Sequence, residues 1–220
     1  MPEFMGKKIT RTEEAARHAY RRALEKSLCT HVKGTEWKSA YGSIFREKAG
    51  WFICASPSVY IFEHVTKASI TVKPMAIDPI FWDIVGLPEN RDQPLSFRAN
   101  RAWTCRPPQF ADIPLEEDDD PAIVGKRLIF TATEQLESVI RCYSPERFLN
   151  KIHDADSMDG SHLASIIPTL ISLDRQHEAL AICDEACSKG WNGGFLAPEG
   201  SFAEMAASYL RKSIADATRH

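Results

Sequence analysis

Between Ser43 and Lys73, four short runs of β-branched and aromatic residues follow one another with very little chain between them. The runs are Ile44-Phe45-Arg46, Trp51-Phe52-Ile53-Cys54, Val59-Tyr60-Ile61-Phe62 and Ile70-Thr71-Val72, residue types that suit a pleated, half-buried surface. Lys48-Ala49-Gly50, Ser56-Pro57-Ser58 and Thr66-Lys67-Ala68 separate them as turns. A parallel crossover consumes about a dozen residues or more. The spacing therefore predicts an antiparallel meander of about four strands.

A helix precedes the meander. Over residues 11–29, Ala15, Ala16, Ala19, Tyr20, Ala23, Leu24 and Leu28 recur at helical spacing, and Thr12 with Glu13 and Glu14 marks the start. Arg17, Arg21, Arg22 and Lys26 form its other face, which reads as a solvated basic stripe. After Lys73-Pro74, Asp78 as N-cap and Pro79 at the first helical position predict a short helix over Ile80–Val85, stopped by Gly86. Leu95, Phe97 and Ala99 alternate with Ser96, Arg98 and Asn100 toward Trp103, the pattern of a further strand with one wet face.

Residues 107–121 hold Pro107-Pro108, Pro114 and the run Glu116-Glu117-Asp118-Asp119-Asp120-Pro121. They predict an exposed acidic loop, the best internal boundary of the chain. Helical periodicity fills the remainder: Ile123–Tyr143, a short helix after Ser144-Pro145, one from Ser161, one over Arg175–Ser188, and one from Ser201 to about Ala217. The reading is an α+β fold in which an antiparallel meander and N-terminal helix pack against an all-helical C-terminal half. Met1-Pro2-Glu3-Phe4 reads as a cloning remnant ahead of Met5-Gly6. Residues 5–106 form the strand-rich part and 122–220 the helical part, together one compact domain.

Of the 220 residues, 44% are hydrophobic, enough for a sizeable core, and the net charge of -3 gives no global reason to expect nucleic acid or an anionic membrane as partner. No window reaches the apolar length of a membrane span and no export signal opens the chain, so a soluble, cytoplasmic protein is expected. The six cysteines, Cys29, Cys54, Cys105, Cys142, Cys183 and Cys187, then read as reduced thiols rather than a disulfide framework.

No phosphate-cradling glycine loop and no Gly-x-Ser-x-Gly elbow is present. Cys183 and Cys187 share a helix face near His177 but lack the paired ligand spacing of a zinc site. The five-acid run lacks the calcium-loop pattern. His64 and Asp78 flank the most aromatic part of the chain as a conceivable acid–base pair, though no spacing forces them together. No catalytic residue, metal or cofactor is nominated.

The segment from Val72-Lys73-Pro74 through Asp78-Pro79-Ile80-Phe81-Trp82-Asp83-Ile84, followed by Pro94-Leu95-Ser96-Phe97-Arg98, is the most distinctive text in the sequence. Across residues 40–105 it resembles a group of bacterial proteins of unknown function, some encoded beside polymorphic or contact-dependent toxins as immunity proteins. That resemblance implies a non-catalytic protein that binds and occludes a cognate toxin domain. Glu116, Glu117, Asp118, Asp119 and Asp120 would then meet the basic cleft of such a partner. The alternative is an enzyme or small-ligand binder whose pocket between sheet and helices is lined by Lys73, Asp78, Trp82 and Arg98.

Overall fold

The structure is a computed structural model, and it describes residues 10–59, 66–100, 103–115, 119–155 and 162–219. Helix α1 (Arg11–His31) leads into five antiparallel strands, β1 (Lys38–Ala40), β2 (Ser43–Lys48), β3 (Trp51–Val59), β4 (Thr66–Pro74) and β5 (Gln109–Pro114). They lie in the sheet in sequence order. Between β4 and β5 the chain forms α2 (Ile77–Ile84), a 3-10 turn over Pro88–Asp92, and α3 (Ser96–Ala99). The C-terminal half is α4 (Pro121–Cys142), α5 (Pro145–Ala155), α6 (Leu163–Ser172), α7 (Gln176–Lys189) and α8 (Phe202–Ala217). A two-strand hairpin of β6 (Leu196–Ala197) and β7 (Gly200–Ser201) precedes α8. The fold is α+β, with the sheet and its N-terminal helix followed by a helical half.

Five local expectations are corrected. The N-cap of α1 is Thr10, whose hydroxyl accepts from the Glu13 amide while the Glu13 carboxylate accepts from the Thr10 amide. This places the capping box two residues ahead of Thr12. Ser56-Pro57-Ser58 is not a turn, because β3 runs through it and Pro57 pairs with Ala68. The strand tolerates this proline for a geometric reason. The last β2 residue facing β3 is Ile44, opposite Ala55, so β3 is locally an edge at Pro57 and needs no donor there. Thr66-Lys67-Ala68 likewise belongs to β4, and Tyr60-Ile61-Phe62 lie outside the described residues. The alternation that begins at Leu95 is helical over Ser96–Ala99, not extended: α3 aims Phe97 at Trp82 and buries Arg98. Finally, residues 109–114 of the expected loop form edge strand β5, which admits Pro114 at its end.

The two faces of the sheet bury different chemistry. Ile44, Trp51, Ile53, Ala55, Ala68, Ile70 and Val72 project to one side and join the main core beneath α1, α4 and α5. The Trp51 ring meets Phe148 of α5 edge-on at 6.0 Å. Phe45, Phe52 and Cys54 project to the other side and are covered by Ala99, with Leu95 and Met75 packed beside them. Lys73 is on this second face, beside Phe52. All six cysteines are free; Cys54, Cys105 and Cys183 are buried, while Cys29, Cys142 and Cys187 are exposed. Among the described residues no helix is long and apolar enough to cross a membrane.

Candidate functional site

Lys73, Asp78, Trp82 and Arg98 come together inside the protein, and none of the four lines a cleft found among the described residues. Asp78 is not an N-cap: α2 starts at Ile77 behind Ala76, which puts Asp78 in the first turn, where a carboxylate suits the helix dipole. Trp82 follows at i+4 on the same face. Asp78 and Trp82 are fully buried, Lys73 is 1% exposed and Arg98 is 8% exposed. Lys73 Nζ donates to Asp78 Oδ1 at 2.8 Å. Arg98 Nε lies 3.0 Å from Asp78 Oδ2, a charge pair whose angles fall outside hydrogen-bond geometry, so both atoms lack a hydrogen-bond partner. The Arg98 guanidinium lies 4.9 Å from the centre of the Trp82 ring, within cation–π range.

The network grips one segment of backbone. Lys73 Nζ donates to the Cys105 carbonyl at 3.0 Å, the Cys105 amide donates to Asp78 Oδ1 at 3.0 Å, and Trp82 Nε1 donates to the Trp103 carbonyl at 2.6 Å. Ser165 of α6 donates its hydroxyl to the Arg106 carbonyl at 2.6 Å. Residues 103–106 are thereby pinned between α2, β4 and α6. Burial, followed by the neighbouring Asp78 carboxylate, pushes the Cys105 thiol well above its usual pKa, so it stays protonated and unreactive.

What this segment presents outward is the site. Trp103 has φ +56° and is 51% exposed, an unusual backbone for a bulky residue. Its ring meets Phe195 edge-on at 5.5 Å. Phe195 meets Phe81 at 5.8 Å, and Phe81 stacks on the buried Phe202 at 5.6 Å, so a chain of aromatic contacts runs from the core to the indole. On one side of Trp103 a cleft of about 270 Å³ is lined by Phe81, Phe195, Thr104, Arg106, Ala164 and the Gly193-Gly194 backbone. A second, larger hollow of about 500 Å³ shares Trp103 and Phe195 and extends over Phe97, Asn90, Pro198 and Glu199. Gly193 has φ +74°, and a Cβ there would stand 3.2 Å from Phe202 and 3.3 Å from Leu163, so glycine is what lets the wall close on the core.

The other nominated residues have separate employment or lie elsewhere. Asp120 caps α4, its carboxylate accepting from the Ala122 amide at 2.8 Å, and Asp119 pairs with Arg127 at 2.9 Å. Glu116, Glu117, Asp118 and His64 lie outside the described residues. Cys183 is buried, and burial with Cys187 one turn away pushes its thiol up to about 12, a poor state for a zinc ligand. Among the described residues no cluster of His, Cys, Asp or Glu could hold a metal ion.

Fold and site together define an α+β protein with an open aromatic cleft backed by a buried charge network. Comparison with known protein families, with curated proteins and with solved structures finds no match.

Proposed function

We propose that this chain is a non-catalytic protein-binding protein whose contact surface centres on Trp103. Tyr41, Ala49 and Asp174 also have left-handed backbone; the observation that carries the reading is that Trp103 combines it with a place in the lining of both hollows and a carbonyl held by buried Trp82. Holding a non-glycine residue in left-handed backbone costs roughly 1–2 kcal/mol, and a half-exposed indole recovers little of this by burial. Strain of that kind persists where the surroundings enforce it and clusters at ligand-contacting positions. Tryptophan is also among the residues that dominate binding energy when seated at the centre of an interface.

In its fuller form, drawn from the resemblance, the proposal is a cytoplasmic immunity protein that occludes a bacterial toxin domain. The acidic run ending at Asp120 supports that form, because it would favour encounter with a basic cleft. A second reading, a small-ligand binder, is favoured by one observation: Arg106 converges with three aromatic rings on the smaller cleft.

The test is to capture the partner with the tagged chain from its native host, identify it, and measure its affinity for purified wild type and Trp103→Gly. Glycine accepts φ +56° without strain, so stability should change by less than about 1 kcal/mol. Affinity should fall by about 2 kcal/mol or more, roughly thirtyfold. Unchanged affinity would remove Trp103 from the interface. Co-purification of a small molecule, lost in Trp103→Gly, would favour the second reading.

A further inference from the structure

Resting on the reading of Trp103 as a protein-contact residue, we infer that the smaller cleft takes a partner segment in which a carboxylate stands next to an aromatic side chain. The lining fixes this chemistry. Phe81, Trp103 and Phe195 supply three aromatic walls, and Ala164, Gly193 and Gly194 keep the remaining wall low. Arg106 is the only charged residue of that lining; it is exposed, and among the described residues no carboxylate pairs with it. A guanidinium presents a planar fork of donors that matches a carboxylate, and such charge-assisted bonds are about twice as strong as neutral ones.

Size then selects the occupant. At about 270 Å³ the cleft falls below the roughly 300–1,000 Å³ typical of sites that enclose a whole small molecule. It suits one aromatic side chain. The adjoining hollow beyond Trp103 gives the flanking residues of a peptide somewhere to lie, and it carries its own polar groups in Asn90 and Glu199. A free aromatic acid would leave that second hollow unused. An extended segment fills both, with its aromatic ring against Phe195, its carboxylate on Arg106 and its backbone crossing the indole of Trp103.

The experiment uses defined probes on the full chain. Calorimetry compares acetyl-Gly-Ser-Asp-Phe-Gly-Ser-amide, its twin with Asn in place of Asp, N-acetylphenylalanine and adenosine monophosphate. The Asp peptide should bind about tenfold more tightly than the Asn twin, the scale of one charge-assisted pair. Arg106→Gln should bring the twins to within about twofold of each other, and Arg106→Lys should restore part of the difference. Equal binding of the twins to wild type overturns the inference, and so does the absence of peptide binding at millimolar concentration. Tighter binding of N-acetylphenylalanine or of the nucleotide than of the Asp peptide overturns it as well. None of these outcomes touches the Trp103→Gly result, which reads loss of the captured partner and not the chemistry of its segment.

Discussion

Asp78→Ala is expected to lower the unfolding free energy by about 3–5 kcal/mol, because it leaves Lys73 and Arg98 as buried cations with no counter-charge. In a chain of 220 residues that corresponds to a fall in melting temperature of about 6–20 °C. The same substitution removes the acceptor of the Cys105 amide. A control separates net stability from positioning. Replacing Lys73, Asp78 and Arg98 together by Met, Leu and Met deletes every charge at once, and such apolar replacement of a buried ion cluster is often neutral or stabilising. The triple variant should therefore melt well above Asp78→Ala, yet bind the captured partner poorly, because Cys105 has lost both of its side-chain contacts to the network. Thermal melts and affinities of the two variants check this. A triple variant with wild-type affinity would show that the network does not position the cleft.

Trp82→Ala should cost a similar amount, roughly 3–5 kcal/mol, since it empties a fully buried indole site between α2 and α3. Trp82→Phe tests the polar half of the same side chain. It keeps much of the bulk but removes the donor to the Trp103 carbonyl, at a cost of about 1–3 kcal/mol for the unpaired group and the smaller ring. Its effect on partner affinity should exceed that of a mutation in the main core, such as Ile53→Val, with an equal loss of stability. Equal affinity in Trp82→Phe and Ile53→Val would mean that Trp82 serves only the core.

The sheet was legible in the sequence because its signals are local. Ile44 to Val72 carry strand-forming residues at short spacing, and chain connectivity alone makes such neighbours antiparallel. The turns were less legible, since Pro57 reads as a break until the register shows that β2 has already ended there. Edge strand β5 was hidden by Pro107-Pro108 ahead of it and Pro114 at its end for a similar reason: an edge forgives what a central strand does not. Lys73, Asp78, Trp82 and Arg98 were recognisable as a group from residue type, but not as buried, because desolvation depends on α3 folding over them. The cleft itself was illegible. Trp103 and Phe195 stand far apart in the chain, and no spacing rule joins a tryptophan before β5 to a Gly-Gly-Phe turn between α7 and α8. Trp103 stands in left-handed backbone where its carbonyl accepts from Trp82 Nε1, a tertiary contact that no local pattern encodes.

Tyr41, Trp103, Ile123, Phe130 and Leu196 are the exposed large hydrophobics among the described residues, and they lie on several different elements. Hydroxyl-radical footprinting of the chain, free and saturated with its captured partner, therefore reads directly which surface binds. The account predicts strong protection of Trp103 and Phe195, with Phe130 of α4 and Tyr41 of the β1–β2 turn labelled as in the free chain. Protection of Ile123 and Phe130 with Trp103 still fully labelled would place the interface on α4 and contradict it.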